Sequence, residues 1–398
     1  MNILIISPSN TIGGAELSLL ENVKYLHKNN VKIVAVLPPD EKNQLGELLK
    51  PYCKKIYHQY FMRWIWNFSE HESWKDKLIG FAYYLKLSGG YFLSARKIAA
   101  IGKTHQVQLI HTNASSVIDG ALAAKKMNIP HIYHVREIIG NHSLSTITYP
   151  FQFIPILFKH IMNRFNTHIL FNSFFCFNAA IKYFPQEKCS VIYNGFHPSW
   201  YTFKRRRKEK TLTVATVANV TASWKNHSFV IKTAKELIKC YPNFSINFNI
   251  YGSLPPNENY YFVELKKLIE VNNLEKQIHF KGKQKSEDIY DHSDILLHPA
   301  LKEAFGRIFI EAMGKGVPVV AVASGGASEL IQHGETGFLV PPDAPEKAAE
   351  LILELLNNPE LYARIQQHAY THAVNFSIEK TGQQLVRLYE QLIHAARS

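Results

Sequence analysis

A chain of 398 residues is too long for one typical core and reads as two domains. Its 45 Lys and Arg against 32 Asp and Glu give a net charge of +13, an excess that lies mostly in the first half and suits nucleic acid, an anionic membrane or an anionic substrate such as a diphosphate-linked lipid. Four scattered cysteines exclude a dense disulfide framework and a C-x-x-C metal site, and no run of eighteen apolar residues offers a spanning helix, so a cytoplasmic protein is expected, with peripheral attachment to the inner face of the cytoplasmic membrane left open.

The first elements alternate strand and helix. The apolar start, which lacks a basic leader, predicts a buried strand over residues 3–7, then a glycine loop over 11–14, a helix from about 15 to 27 and a strand over 32–37, a βαβ opening. Gly13 and Gly14 do not fit G-x-G-x-x-G, which argues against a nicotinamide dinucleotide site and leaves either a ligand loop or a tight turn at a helix start. Residues 57–101 interleave aromatics such as Tyr60, Trp64 and Trp74 with Arg63, Lys75 and Arg96. Helices packed on the sheet, a membrane interface and a sugar-binding wall all accommodate that pattern. A second such run spans 151–184, with Phe153, Ile154, Leu157, Phe158 and Ile161 near helical spacing. Strands over 109–112, 131–134, 169–172 and 190–193 complete the first sheet. Asn194 and Gly195 then make a turn, and the charged stretch from Lys204 to Lys208 marks a linker, a solvated surface rather than a nucleic-acid patch.

The second half repeats the alternation, with strands over 213–218, 245–251 and 278–281, a helix after Lys225 and another over 262–271. An apolar run from Ile295 stops at His298, a helix from Phe305 to Met313 puts Ile308, Phe309 and Ala312 on one face, and 317–322 resumes as a buried strand. In such a unit the amides around Phe305, Gly306 and Arg307 point out of the helix N-terminus, where a phosphate oxygen is favoured by hydrogen bonding and by the helix dipole. Glu303, before the helix, can reach a sugar's hydroxyls, and Glu311 can accept bidentate hydrogen bonds from a ribose diol. The plainer reading is one capping and one solvent-facing glutamate. A last helix over about 378–394 carries Leu385, Leu388, Tyr389 and Leu392 on one face.

The ordered pattern E-x-F-G-x(4)-E-A-M-x-x-G-x-P-V-V-A over 303–321, then Gly325, Gly326, Glu329 and G-E-T-G-F-L-V over 334–340, resembles the retaining glycosyltransferases of family 4. The likeness extends back through residues 279–282, 251–252, 225–227 and 191–195 and thins in the N-terminal half. It implies an α/β chain of GT-B fold, two Rossmann-like doubly wound domains facing a cleft: residues 1–203 for the acceptor, 204–377 for the sugar nucleotide, and a helix over 378–398 that crosses back to the first domain. Lys225 takes the place of the family's diphosphate lysine, and Gly14 would bring its amide near the donor phosphates. Asn219, Gly252, Gly282, Phe305, Gly306, Arg307 and Glu311 complete the donor side. Glu16 orders its loop or contacts acceptor, while Arg136 and Glu137 pair with each other or serve acceptor binding. His134 sits at a position similar to the family's active-site histidine, without the usual neighbouring aspartate, and is expected to hydrogen-bond the transferred sugar. With Lys225 and Glu303 it makes the expected catalytic set.

Two departures stand out. Asn219 replaces an arginine usual in relatives, and Ser253 replaces a second glycine; either Arg307 or another basic residue compensates, or stabilisation of the leaving group is weaker. Charge growing on a leaving diphosphate must be met by positive charge already in place. No Asp-x-Asp ends a strand and no His, Cys and carboxylate residues share ligand spacing, so cationic side chains and helix amides are expected to supply it, with no metal or other cofactor. The expected partners are a UDP- or GDP-linked hexose or N-acetylhexosamine and a growing, lipid-linked surface glycan, with no nucleic acid. The alternatives are a GT-B scaffold that retains nucleotide-sugar affinity as a partner of another transferase, and a GT-B epimerase.

Overall fold

The computed structural model describes residues 1–40, 42–61, 66–67, 90–139, 147–148, 165–203, 211–220, 223–241, 245–255 and 259–397. They form two compact units, residues 1–196 with 378–398 and residues 197–377.

The first unit is built on β1 (Asn2–Ile6), β2 (Lys32–Leu37), β3 (Lys55–His58), β4 (Leu109–Thr112), β5 (His131–Val135), β6 (Thr167–Phe171) and β7 (Cys189–Val191). These strands are all parallel, in the order β3-β2-β1-β4-β5-β6-β7. Side chains alternate along a strand, so Ile3 and Ile5 join Leu19, Val23 and Leu26 of α1 (Gly14–Lys28) on one face. Leu4 and Ile6 join Ile98 of α2 (Gly90–Thr104) and Ala123 of α3 (Asp119–Met127) on the other. A strand covered on both faces must be apolar throughout, which is why β1 carries no polar alternation.

The second unit holds β8 (Thr211–Val217), β9 (Ser245–Tyr251), β10 (Ile278–Gly282), β11 (Ile295–His298), β12 (Val319–Val322) and β13 (Phe338–Val340), again parallel, in the order β10-β9-β8-β11-β12-β13. Its helices include α4 (His227–Cys240), α5 (Tyr260–Val271), α6 (Arg307–Gly314) and α7 (Pro345–Asn357). Val214, Phe248 and Leu297 of the sheet pack with Val230 and Leu237 of α4, Leu265 of α5 and Ile352 of α7. The last helix, α8 (Ile378–Ala395), belongs to the first unit, where Leu385, Tyr389 and Ile393 enter the core beside α1.

In each sheet the chain winds outward from one strand and then returns to that strand's other side, between β1 and β4 and between β8 and β11. Loops leaving the carboxyl ends diverge at such a reversal and leave room for a ligand. The loops carrying Asn219 and Lys225, and Glu303, leave the second reversal. The loop that leads into Gly14 and Glu16 at the start of α1 leaves the first, and His134 lies on the neighbouring β5.

Several boundaries differ from expectation. The units part at residues 196 and 197, ahead of the basic stretch, and residues 204–208 lie outside the described residues. The helix expected from Phe305 begins at Arg307, because Gly306 at φ 86° lies in the left-handed region and stands outside the helical ladder. The strand expected from 317 begins at Val319, after Pro318, which has no N–H for a ladder. Strands β3 and β13, and the helices over 345–374, were not expected. Most of the aromatic run over 57–101, and the spacing at 153–161, lie outside the described residues. Phe177 and Phe184, from the later run, pack edge-on against Phe171 of β6, a sheet-packing role. Among the described residues no helix is long and apolar enough to cross a membrane.

Candidate active site

The carboxyl ends of the second sheet are stitched together by short contacts. Asn219 Oδ1 accepts from the Ser253 amide at 2.9 Å, the Val220 amide donates to Ser253 O at 2.9 Å, and the Gly252 amide donates to Gly282 O at 3.0 Å. A one-turn helix then brings Lys225 toward the loop after β11, where the Leu301 amide donates to Trp224 O at 3.1 Å. Lys225 Nζ lies 2.9 Å from Glu303 Oε2 and 4.2 Å from the centre of the Trp224 ring. Beneath the pair, His298 Nε2 stands 3.6 Å from the same Glu303 oxygen.

Glycine fixes the height of Glu303. Gly325 has φ 58°, and a Cβ there would come within 2.3 Å of Glu303 O. That close approach lets the Gly326 amide donate to Glu303 O at 2.7 Å. A Cβ on Gly306 would stand 3.2 Å from Glu303 Cγ, so the positive end of the α6 dipole lies beside this side chain. Burial alone would raise the Glu303 carboxyl; the Lys225 ammonium and the His298 imidazole outweigh it and hold it down to about 2. Burial, reinforced by Lys225 and opposed by Glu303, keeps His298 below its ordinary value, so a carboxylate here meets a neutral ring.

One turn further on, Arg307 Nη2 pairs with Glu311 Oε1 at 3.2 Å, an i,i+4 contact between buried side chains, and Tyr290 donates its hydroxyl to Glu311 Oε2 at 3.4 Å. Burial pushes the Glu311 carboxyl above its ordinary value against the pull of Arg307. Arg307 is therefore a buried, ion-paired side chain rather than a surface arginine. Asn219 binds through its carbonyl oxygen, closing the loop rather than presenting positive charge. The Phe305 ring is buried against Phe376, which leaves its backbone as the part able to meet a ligand.

In the first unit, Gly13 caps α1, Gly14 is its first residue, and the Glu16 side chain turns back toward the cap, so that a Cβ on Gly13 would lie 2.9 Å from Glu16 Oε2. Burial raises the Glu16 carboxyl, opposed by its own backbone amide, the Arg136 guanidinium and the Gly13 amide. Arg136 is buried and donates through Nε to Asn113 Oδ1 at 2.7 Å, through Nη1 to Asn194 Oδ1 at 2.6 Å and through Nη2 to His134 Nδ1 at 3.3 Å. Glu137 accepts from the Arg136 amide at 3.0 Å, from the Ser115 amide at 3.1 Å and from the Ser115 hydroxyl. His134 is buried, its Nδ1 also meets His111 Nε2 at 3.2 Å, and burial, Arg136 and His111 hold it well below its ordinary value.

The structure thus gathers Lys225, Glu303, Asn219, Gly252, Gly282, Gly306, Arg307 and Glu311 at the loop ends of the second sheet, and Gly14, Glu16, His134, Arg136 and Glu137 at those of the first. Sequence reasoning passed over His298, Tyr290, His111, Asn113 and Asn194. His298 ends an apolar strand at a sheet reversal, a position that could have marked it; the others carry no local signal. Among the described residues no three His, Cys, Asp or Glu side chains converge to hold a metal ion.

Comparison with known proteins places both units in one setting. Residues 12–200 match the model described as Glycosyltransferase Family 4, and residues 200–372 match Glycosyl transferases group 1. An uncharacterized glycosyltransferase of Haemophilus influenzae is 27% identical over 300 residues, 74% of this chain and 79% of that protein. The D-inositol 3-phosphate glycosyltransferase of Corynebacterium efficiens is 29% identical over 218 residues, 52% of this chain and 51% of that enzyme, so the match spans about half its length. Among solved structures, HepE of Anabaena in complex with UDP and glucose superposes with a TM-score of 0.75 at 24% identity, covering 98% of this chain and 100% of HepE.

Proposed function

Because this chain belongs to the family 4, group 1 glycosyltransferases of GT-B fold, we propose that it moves a hexose or N-acetylhexosamine, with retention, from a UDP-sugar to a growing lipid-linked surface glycan. The observation that carries the reading is the Lys225–Glu303 pair at the sheet reversal of the second unit, beside the N-terminus of α6. A cation and a helix dipole lie together there, where a leaving diphosphate would need both. HepE, solved with UDP and with UDP-glucose, supports UDP as the nucleotide.

In this scheme Lys225 exchanges Glu303 for the diphosphate, and the freed carboxylate takes a hydroxyl of the transferred sugar. Glu311, held by Arg307 and Tyr290, accepts from the ribose. His134 gives a hydrogen bond to a sugar hydroxyl. The anomeric C–O bond breaks with its electron pair going to the diphosphate, the acceptor oxygen bonds the same face, and its proton passes to the departing phosphate oxygen. Lys225 and α6 supply the positive charge, so the reaction needs no metal. Basic and aromatic residues of the first half support an anionic, lipid-linked acceptor and a peripheral place at the membrane.

The test is incubation with UDP-glucose, UDP-galactose, UDP-N-acetylglucosamine and GDP-mannose in EDTA, reading release of nucleotide. Release from a UDP-sugar that Lys225→Met depresses at least tenfold supports the scheme; strict dependence on added divalent metal contradicts it. A second reading, a scaffold of weak turnover, draws on Asn219 and on the engagement of Arg307 by Glu311. Nucleotide binding without release from any donor would favour it.

A further inference from the structure

Three buried rings in the first unit form a hydrogen-bonded chain that the scheme above does not use. Tyr389 of α8 places its hydroxyl 2.5 Å from His111 Nδ1, His111 Nε2 lies 3.2 Å from His134 Nδ1, and Arg136 Nη2 lies 3.3 Å from that same His134 nitrogen. All three rings are at least 97% buried. The chain ends on His134 Nε2, which is buried with no hydrogen-bond partner among the described residues.

The direction of every proton follows from one fact: a guanidinium only donates. Arg136 at His134 Nδ1 therefore requires a lone pair there, and a neutral imidazole with a bare Nδ1 carries its proton on Nε2. The same lone pair faces His111 Nε2, which must then bear the His111 proton. His111 Nδ1 is left bare and can only accept, so the Tyr389 hydroxyl donates. The surroundings keep each group in the required state. Burial and Arg136 hold His111 down to about 3, and burial raises the Tyr389 phenol.

We propose that Tyr389, on the C-terminal helix, is a positioning residue that acts through His111 to present His134 Nε2–H as a fixed hydrogen-bond donor. The assignment rests on the reading of His134 as the group that meets a sugar hydroxyl. It excludes His134 Nε2 as a general base, because that nitrogen already holds the proton. Without the Tyr389 hydroxyl, His111 is free to carry its proton on Nδ1. Its bare Nε2 would then face the His134 lone pair across 3.2 Å, and the His134 ring would lose its setting.

Nitrogen-15 NMR of the histidine-labelled full chain tests this directly, with signals assigned by their loss in His111→Gln and His134→Asn variants. The expected wild-type spectrum has protonated Nε2 and bare Nδ1 on both rings, unchanged from pH 6 to 9. Tyr389→Phe keeps the ring and its packing, and should shift His111 toward the Nδ1-protonated form. It should also lower turnover about tenfold with KM for the UDP-sugar unchanged, the scale of one lost hydrogen bond. A protonated His134 Nδ1 in the wild type, or a Tyr389→Phe spectrum and turnover matching the wild type, overturns the proposal. If Tyr389→Phe does not fold, the wild-type spectrum alone decides. A wild type that transfers no sugar contradicts the functional reading, while the tautomer result still decides whether the relay exists.

Discussion

Replacing Glu303 with Gln removes one charge from a site whose electrostatics can be weighed. The carboxyl is held at about 2 against an ordinary value of 4.5, so its charged form is favoured by about 3 kcal/mol through Lys225 and His298. A depressed folded value stabilises the fold above the unfolded value and loses that contribution as pH falls from about 4.5 through about 2. Glu303→Gln should therefore cost about 3 kcal/mol at pH 7. Wild type and variant should converge in acid, the gap at pH 3 falling to less than about half its value at pH 7, because the wild type is then losing the same charge. Urea denaturation of both proteins at pH 7, 5, 4 and 3 reads the gap. A gap independent of pH, or none at pH 7, would refute the claim that Lys225 and Glu303 form a charge pair in the free protein.

Other outcomes follow from the same contacts. Glu311→Ala removes the carboxylate that pairs with the buried Arg307 guanidinium and should cost about 3–5 kcal/mol in urea, much of it recovered in Arg307→Met/Glu311→Leu; a double variant no more stable than the single one would contradict this. Gly325→Ala must place a Cβ 2.3 Å from Glu303 O at φ 58° and should cost about 1–3 kcal/mol while depressing turnover, and an unaltered melting curve would count against it. Since His134 is held neutral, the pH–rate profile between 6 and 8 should carry no ionisation that disappears in His134→Asn.

Much of the fold was legible because strands buried on both faces must be apolar, and the runs around Ile5, Val34, Ile110 and Leu296 therefore mark themselves. Strand β3 escaped because Lys55 and His58 are exposed at its ends, as suits an edge. The donor-side loops were legible as a motif, but the partnerships within them were not. Lys225 and Glu303 are 78 residues apart, and nothing local to either announces the other. Arg136 and Glu137 suggested a pair by adjacency, yet Arg136 sends its side chain to Asn113, Asn194 and His134 while Glu137 reaches Ser115. Tyr389 read as a core residue on an apolar stripe. The core assignment holds, and its hydroxyl also meets a histidine 278 residues away.

Calorimetric titration of UDP-glucose and UDP into wild type, Lys225→Met and Glu311→Gln asks whether the second unit grips a nucleotide sugar through Lys225 and Glu311. The expected result is saturable binding of UDP by the wild type and affinity at least about tenfold weaker in each variant, the scale of one charge-assisted hydrogen bond. Equal affinity in all three proteins would contradict it.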